Sequence, residues 1–373
     1  MTLTARERAI VELLRRDPLI GSEGIAARLG TSRAAVNVHL SNLGRKGVIL
    51  GRGYLLAERP GVVVIGGANI DIKAHSTAPA TPKTSNPGRA SMTAGGVGRN
   101  IAENLARLGV RTFLVTAIGR DALGDSLLSQ TVAAGVRCEY VQRTDLPTGT
   151  YTAVLDADGE MIVAVSDMAA VGALGADQVN GARDIIATAG LVVVDGNLGT
   201  DALTHAGDLA AAAGVPIVLE PVSVPKAARI AESIAVDRPL YAVTPNRDEL
   251  SALTGRPTRT DHQLRKAAED LHDRGVEQVW VRLGARGSLL STQSSGTTWL
   301  PAAQATVEDV TGAGDAMTAA FCYAVLSGRE PLEAARFGQA AAVLTLASPH
   351  TVRPDLTPRL IESALASAVA SAG

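Results

Sequence analysis

Cysteine is nearly absent from this chain of 373 residues: Cys138 and Cys322 are the only two. Two thiols exclude a disulfide framework and a thiolate metal site, and they suit a reducing compartment. Aromatic residues are scarce at 3%, with five Tyr, three Phe and two Trp, which argues against recognition of single-stranded nucleic acid by base stacking. Long apolar runs are missing too. The most apolar uncharged stretch, Ala316 to Gly328, has 13 residues, short of the ~20 that span a bilayer. The start MTLTARERAIVELLRRD is charged throughout and carries no signal-peptide core. The expectation is a cytoplasmic protein with no membrane partner.

Small and aliphatic residues are plentiful instead. Hydrophobic residues make up 46% of the chain, charged ones 19%, and there are 38 Gly, which fits a well-buried core of Ala, Val, Leu and Ile. The length suggests one large α/β unit and a small appendage. A formal net charge of -2 hides two opposed parts. Residues 1–59 hold ten Lys or Arg against five acids, a balance of +5, which leaves -7 for the rest. The partners of the two parts should differ.

In the basic part, Ile10, Leu13 and Leu14 recur at helical spacing before a stop at Asp17-Pro18. Ser22–Leu29 reads as a second short helix, Gly30-Thr31 as a turn, and Ser32 as the N-cap of a third helix bearing Val36, Leu40 and Leu43. The following GVILGRGYLL alternates around glycines like a small hairpin. Helix, turn, helix and hairpin resemble a bacterial winged helix-turn-helix domain, here 1–59. That resemblance implies a third helix in the DNA major groove, with Arg33, Asn37 and His39 near bases or phosphates and Arg45, Lys46 and Arg52 on the backbone. Docking or dimerisation is the alternative. The positive balance favours DNA, because phosphate contact requires it.

Arg59-Pro60-Gly61 reads as a linker, after which VVVIGGANIDI opens as a buried strand running into a glycine pair. Strand-like runs beginning at Phe113, Leu191, Pro216, Leu240 and Gln278 alternate with Ala-rich helical stretches, predicting a parallel sheet covered on both faces. Two stretches break the rhythm. Lys73 to Ser91 is rich in Pro, Ser and Thr, and Val141 to Ser166 alternates around Asp158-Gly159 like a hairpin. A lid projecting from the sheet and an ordinary antiparallel edge both fit.

Two glycine-rich elements carry chemistry. In AGGVGRNIAENLARLG, Ala94 to Gly109, glycines run directly into an amphipathic helix, so free amides can approach a ligand and Asn100 can hydrogen-bond hydroxyls. In EDVTGAGDAMTAAF, Glu308 to Phe321, Gly312, Ala313 and Gly314 open an apolar helix whose first amides form an anion site. Asp315 at the edge of such a site reads as a base beside a phosphoryl group, with a structural N-cap as the alternative.

These two elements, with TPNRDEL (Asn246, Glu249) between them and VRLGARGSLL (Gly284, Gly287), resemble the ribokinase or PfkB family of sugar and nucleoside kinases over Val62 to about Ala368. The likeness is strongest to its pseudouridine kinases, carried by GGANIDIKA, SNPGRASMTAGGVGRNIAENLARLG, VAVSDM and VVVDGN. The resemblance implies a ribokinase-like three-layer αβα sandwich over 60–373, with a small β lid from about 70–93 and 137–167. It implies an ATP- and Mg²⁺-dependent kinase acting on the 5′-hydroxyl of pseudouridine. Asp315 would be the base, and Gly312, Ala313 and Gly314 would hold developing charge. Asn246, Gly284, Gly287 and Thr311 would face the nucleotide. Glu249 would organise Mg²⁺ through water, with a solvated helix residue as the alternative. Asp309 would bind a monovalent cation such as K⁺, with a turn role as the alternative. Asn69, Asp71, Gly95, Gly96 and Asn100 would bind the ribose, and Asp167 and Asn197 the base. A homodimer would suit both parts. Glu220, where relatives more often carry Asp, and Gln339, where Asn is expected near the adenine pocket, are departures from the pattern. Rival readings are a kinase for another nucleoside or sugar, and a regulator that uses the kinase fold as a ligand sensor.

Overall fold

The structure, a computed structural model, describes residues 3–50, 61–302 and 306–371. The chain divides into two compact units, Met1–Arg59 and Pro60–Gly373. In the first, Thr4 and Glu7 cap the helix Ala5–Arg16 reciprocally, Gly30 ends the helix Ser22–Leu29 at φ +59°, and Ser32 caps Arg33–Arg45. Each boundary follows from a side chain or a glycine that satisfies the helix's orphan groups. Ile10, Leu14, Ile25, Val36 and Leu43 are fully buried where the three helices meet. Residues 51–56 of the expected hairpin, Arg52 among them, lie outside the described residues, as do Arg59 and Pro60 of the expected linker.

The larger unit contains, in chain order, β1 (Val62–Ile65), β2 (Asn69–Ser76), β3 (Gly88–Gly95), β4 (Thr112–Gly119), β5 (Arg137–Thr144), β6 (Thr150–Leu155) and β7 (Met161–Asp167). These are followed by β8 (Leu191–Asp195), β9 (Ile217–Glu220), β10 (Leu240–Val243), β11 (Val276–Arg282), β12 (Ser288–Thr292) and β13 (Gly296–Leu300). Nine strands form one sheet in the order β13-β12-β11-β10-β9-β8-β1-β4-β5, and four form a second in the order β3-β2-β6-β7. In the large sheet the pleat sends alternate residues to opposite faces. Val63, Ile65, Val192 and Val194 join one core cluster, and Val62, Val64, Leu191 and Val193 the other. Helical residues such as Ala202, Ala206, Leu264 and Leu271 cover the first face, and Ile101, Leu105, Phe321 and Phe337 the second. Helix, sheet and helix therefore form the three layers.

Two expectations need correction. The large sheet is parallel from β5 to β11 but ends in antiparallel β12 and β13. After β11 the chain reverses through a tight turn at Gly287 (φ +85°) with no helical crossover, and only an antiparallel return is then possible. Residues 137–144, expected in the lid, form β5 and pair in parallel with β4 on the large sheet. The helix Ala122–Ala133 supplies the crossover that makes this pairing possible. The hairpin of β6 and β7 closes at Gly159 (φ +84°). The Pro-rich stretch after Lys73 joins β2 and β3 as antiparallel neighbours.

Candidate active site

The carboxyl ends of β1, β8, β9, β10 and β11 open onto one edge of the sheet, where an open α/β fold characteristically holds its ligands. Asp195 ends β8, fully buried, and gathers two glycine turns. Its Oδ2 accepts from the amides of Gly67 (2.8 Å) and Gly98 (2.7 Å), and its Oδ1 from the amide of Asn197 (2.8 Å). A Cβ at Gly66 would lie 2.4 Å from this carboxylate, and one at Gly96, where φ is +98°, would lie 2.5 Å from Gly67 O. These positions require glycine. Burial pushes the Asp195 carboxyl upward, while hydrogen bonds from Gly67 and Asn197 and the nearby Lys226 ammonium oppose it.

Asn100 sits in the first turn of the helix Val97–Arg107 and donates from Nδ2 to Oδ2 of Asp315 at 2.9 Å. The buried Arg99 guanidinium donates to Asn100 Oδ1 at 3.2 Å, which fixes the direction of that amide. Asp315 belongs to the helix Ala313–Leu326, whose cap residue is Gly312 (φ +78°). Asp315 is therefore not the N-cap. Its carboxylate is turned toward Asn100 across the site. Burial, with Glu220 and Asp195 nearby, pushes its pKa up to about 8 against the pull of Asn100 and Arg282. A Cβ at Gly312 would collide with Thr351 O.

In β2, Asn69 Nδ2 donates to Asp71 Oδ1 at 2.7 Å. Asp71 lies within the strand, and a Cβ at Gly95, the partner of Asn69 on β3, would strike its carboxylate. Asn69, Asp71, Gly95, Gly96, Asn100 and Asp315 thus form one connected set. Asn197 borders it through Gly67, but its Oδ1 already accepts from Lys226 Nζ. Asp167 closes β7 opposite Thr150, exposed, with Oδ1 accepting from Ala169 N at 3.1 Å.

Asn246 caps the helix Arg247–Thr254, accepting from the amides of Asp248 and Glu249 (both 2.9 Å), while Glu249 Oε2 accepts from Asn246 N (2.8 Å). The Asn-x-x-Glu spacing is thus a reciprocal cap. Glu249 is buried, which corrects the alternative of a solvated helix residue. Arg282, at the end of β11, donates to Glu249 Oε2 (3.2 Å) and to Glu220 Oε1 (2.6 Å), and a Cβ at Gly314 would meet its Nη1 at 2.6 Å. Glu220 Oε2 accepts in turn from Thr244 (2.7 Å) and Thr318 (3.2 Å). Sequence reasoning missed Asp195, Arg282 and the anchoring role of Glu220. The signal for the acids was a carboxylate ending a fully apolar strand, in LVVVD and IVLE.

The model of the pfkB family of carbohydrate kinases matches residues 59–358. The chain belongs to that family. A protein named as an uncharacterized sugar kinase in Escherichia coli (strain K12) is 35% identical over 353 residues, covering 94% of this chain and 96% of that one. The pseudouridine kinase of the same organism is 34% identical over 305 residues, covering 81% and 95%. The solved Arabidopsis thaliana ribokinase, complexed with ribose and ATP, superimposes with a TM-score of 0.71 at 29% identity, over 83% of this chain and 99% of that one. A winged helix-turn-helix DNA-binding model matches residues 3–49.

In this pfkB chain Gly284 and Gly287 bracket the turn after β11, and Gln339 donates to Ser288 Oγ (3.1 Å), which also accepts from Trp280. Asp309 and Thr311 lie in the loop before Gly312. Asp309 Oδ1 accepts from Thr311 N (2.8 Å), a turn role, and Oδ2 from Lys73 Nζ (3.0 Å). An ammonium therefore already sits at Oδ2 of Asp309, on the carboxylate to which the resemblance assigns a monovalent cation. Among the described residues no three His, Cys, Asp or Glu converge as a ready cation site. Glu249, whose Oε2 is taken by Asn246 N and Arg282, would meet a Mg²⁺ ion only through water.

In the N-terminal unit Arg33, Asn37 and Arg45 are exposed, while His39 is half-buried. Lys46, expected on the DNA backbone, instead turns inward, its Nζ 2.9 and 2.8 Å from the carboxylate oxygens of buried Glu7. The buried acid draws it from the surface, because an unpaired buried charge is costly.

Proposed function

We propose that this pfkB kinase transfers the γ-phosphoryl group of ATP to the 5′-hydroxyl of pseudouridine. One observation carries the reading: the Asp315 carboxylate, oriented by Asn100, stands three residues into a helix opened by Gly312. A ribose held by Asn69, Asp71, Gly95, Gly96 and Asn100 would present its primary hydroxyl to Asp315. Asp315 accepts the hydroxyl proton as the oxygen bonds to phosphorus, and the bond from phosphorus to the ADP oxygen breaks. Amides of Gly312, Ala313 and Gly314 stabilise the charge on the transferring group without reorganising. Asn246, Gly284, Gly287 and Thr311 border the nucleotide. Mg²⁺, held through water near Glu249, would neutralise phosphate charge.

The base assignment is supported by the likeness to the pseudouridine kinase at 34% identity. Pseudouridine exposes one ring N–H more than uridine, and an acceptor left unpaired by uridine would discriminate strongly. The exposed carboxylate of Asp167 suits this role better than Asn197, whose carbonyl oxygen is taken by Lys226. The second sheet would act as a lid. The N-terminal unit would bind DNA through Arg33, Asn37 and Arg45.

A kinase for another nucleoside or sugar is the rival, favoured by the ribokinase likeness. Coupled ADP release with pseudouridine, uridine, ribose and adenosine distinguishes them. The expected result is kcat/KM for pseudouridine at least about a hundredfold above uridine, and equal turnover of uridine overturns the assignment.

A further inference from the structure

Successive residues of a strand point to opposite faces, so Lys73 shares with Asp71 the face of β2 that looks into the site. Lys73 Nζ lies 3.0 Å from Asp309 Oδ2 and 3.4 Å from Thr311 Oγ1. Thr311 immediately precedes Gly312. An ion pair this exposed contributes little to global stability, and its weight is local. The 306–311 segment has no helix or strand of its own, and the pair ties it to the second sheet across 236 residues of chain. Among the described residues no other ammonium or guanidinium bonds to this segment. Arg99 is consumed by Glu103 and Asn100, and Arg282 by Glu220 and Glu249.

We propose that Lys73 is the resident cation of the phosphoryl-transfer turn. Its ammonium fills the place at Asp309 that a bound monovalent ion would otherwise take. Being carried by β2, it also orders the turn only when the second sheet is seated. An ammonium is a compact point charge with three donors, so one side chain can meet Asp309 and Thr311 together. A potassium ion beside it would face like-charge repulsion. Lys73 is thus a positioning residue, and the inference rests on the kinase reading given above.

The test measures ATP turnover with pseudouridine for the full-length wild type, Lys73→Met and Lys73→Arg, in potassium and tetramethylammonium chloride at equal ionic strength. Thermal unfolding of each protein without ligand is followed in the same salts. Wild type should be equally active in both salts within about twofold. Lys73→Met should lose roughly tenfold to a hundredfold in kcat, less than the roughly hundredfold to thousandfold cost of removing a donor from the reacting group itself, because Lys73 acts through the turn. Its nucleoside KM should change little, potassium should restore part of the rate, and Lys73→Arg should keep most of it. The unfolding midpoint of Lys73→Met, but not of wild type, should rise in potassium. Potassium activation of the wild type, a potassium-dependent wild-type midpoint, or an unimpaired Lys73→Met each overturns the proposal. Absence of wild-type turnover with any nucleoside would refute the kinase reading instead, and the unfolding midpoints would still decide the role of Lys73.

Discussion

Asp315 is both reactive and costly. Its ordinary pKa of 3.8 is raised to about 8, chiefly by burial. The folded state therefore holds a proton that the unfolded chain releases between these values, so the group's contribution to stability is full below pH 4 and is lost as pH rises toward 8. Replacing it by the neutral isostere removes this dependence. Asp315→Asn should unfold at least about 2 °C above the wild type at pH 8 and close to it at pH 4, measured by calorimetry. Its kcat should fall by about 10²- to 10⁴-fold, the usual worth of a positioned base, while nucleoside binding persists. In the wild type, kcat/KM should rise with pH to a plateau above about 8, because the base works ionised. A pH-independent stability difference between the two proteins would contradict the burial argument, and an unchanged rate would remove Asp315 from the mechanism.

At the scale of elements, Arg282 joins the ends of β9 and β11 to the helix Arg247–Thr254, and Glu220 passes the linkage to the helix Ala313–Leu326 through Thr318. Arg282→Met would leave two buried carboxylates without their cation and should cost about 3–5 kcal/mol in denaturant unfolding. Adding Glu220→Gln removes one of those charges, so the double variant should lose less than the sum of the single losses. Additive losses would show the three groups to be independent. Such linkages explain where sequence reasoning stopped. The glycines at 96 and 312 were legible because positive φ and close approach are demands that one residue type meets. Asn246 and Glu249 were reached through the likeness of TPNRDEL to a family motif, and the structure shows their spacing to be a local reciprocal cap. Arg282 to Glu220 spans 62 residues and Lys73 to Asp309 spans 236, and such pairs exist only once the strand order is known. β5 was misassigned for the same reason, since alternation does not reveal which strand will be the neighbour.

At the scale of the whole molecule, a basic unit of +5 is joined to a kinase of -7, and the two charges predict separable behaviour. Binding of DNA by Arg33 and Arg45 should release counterions, so the logarithm of the association constant should fall linearly with that of salt, with a slope of about -0.9 per neutralised phosphate. Arg33→Ala and Arg45→Ala in the full chain should each reduce that slope by about one, measured by fluorescence anisotropy on duplex DNA. Lys46→Ala should leave the slope unchanged, because Lys46 is spent on Glu7 inside the unit, although it should lower thermal stability by leaving that buried acid without its cation. A salt-independent affinity, or a slope that follows Lys46 rather than Arg33 and Arg45, would favour docking over DNA. Two units bound to adjacent half-sites would need a pair of chains. Met161, Val163 and Val165 are half or more exposed along the edge strand β7, and a homodimer that pairs there would cover them, as unpartnered apolar edge strands invite association. Val163→Asp should then convert a dimer to a monomer in sedimentation velocity and weaken DNA binding while leaving the salt slope per chain intact; a wild-type monomer at micromolar concentration would rule this pairing out.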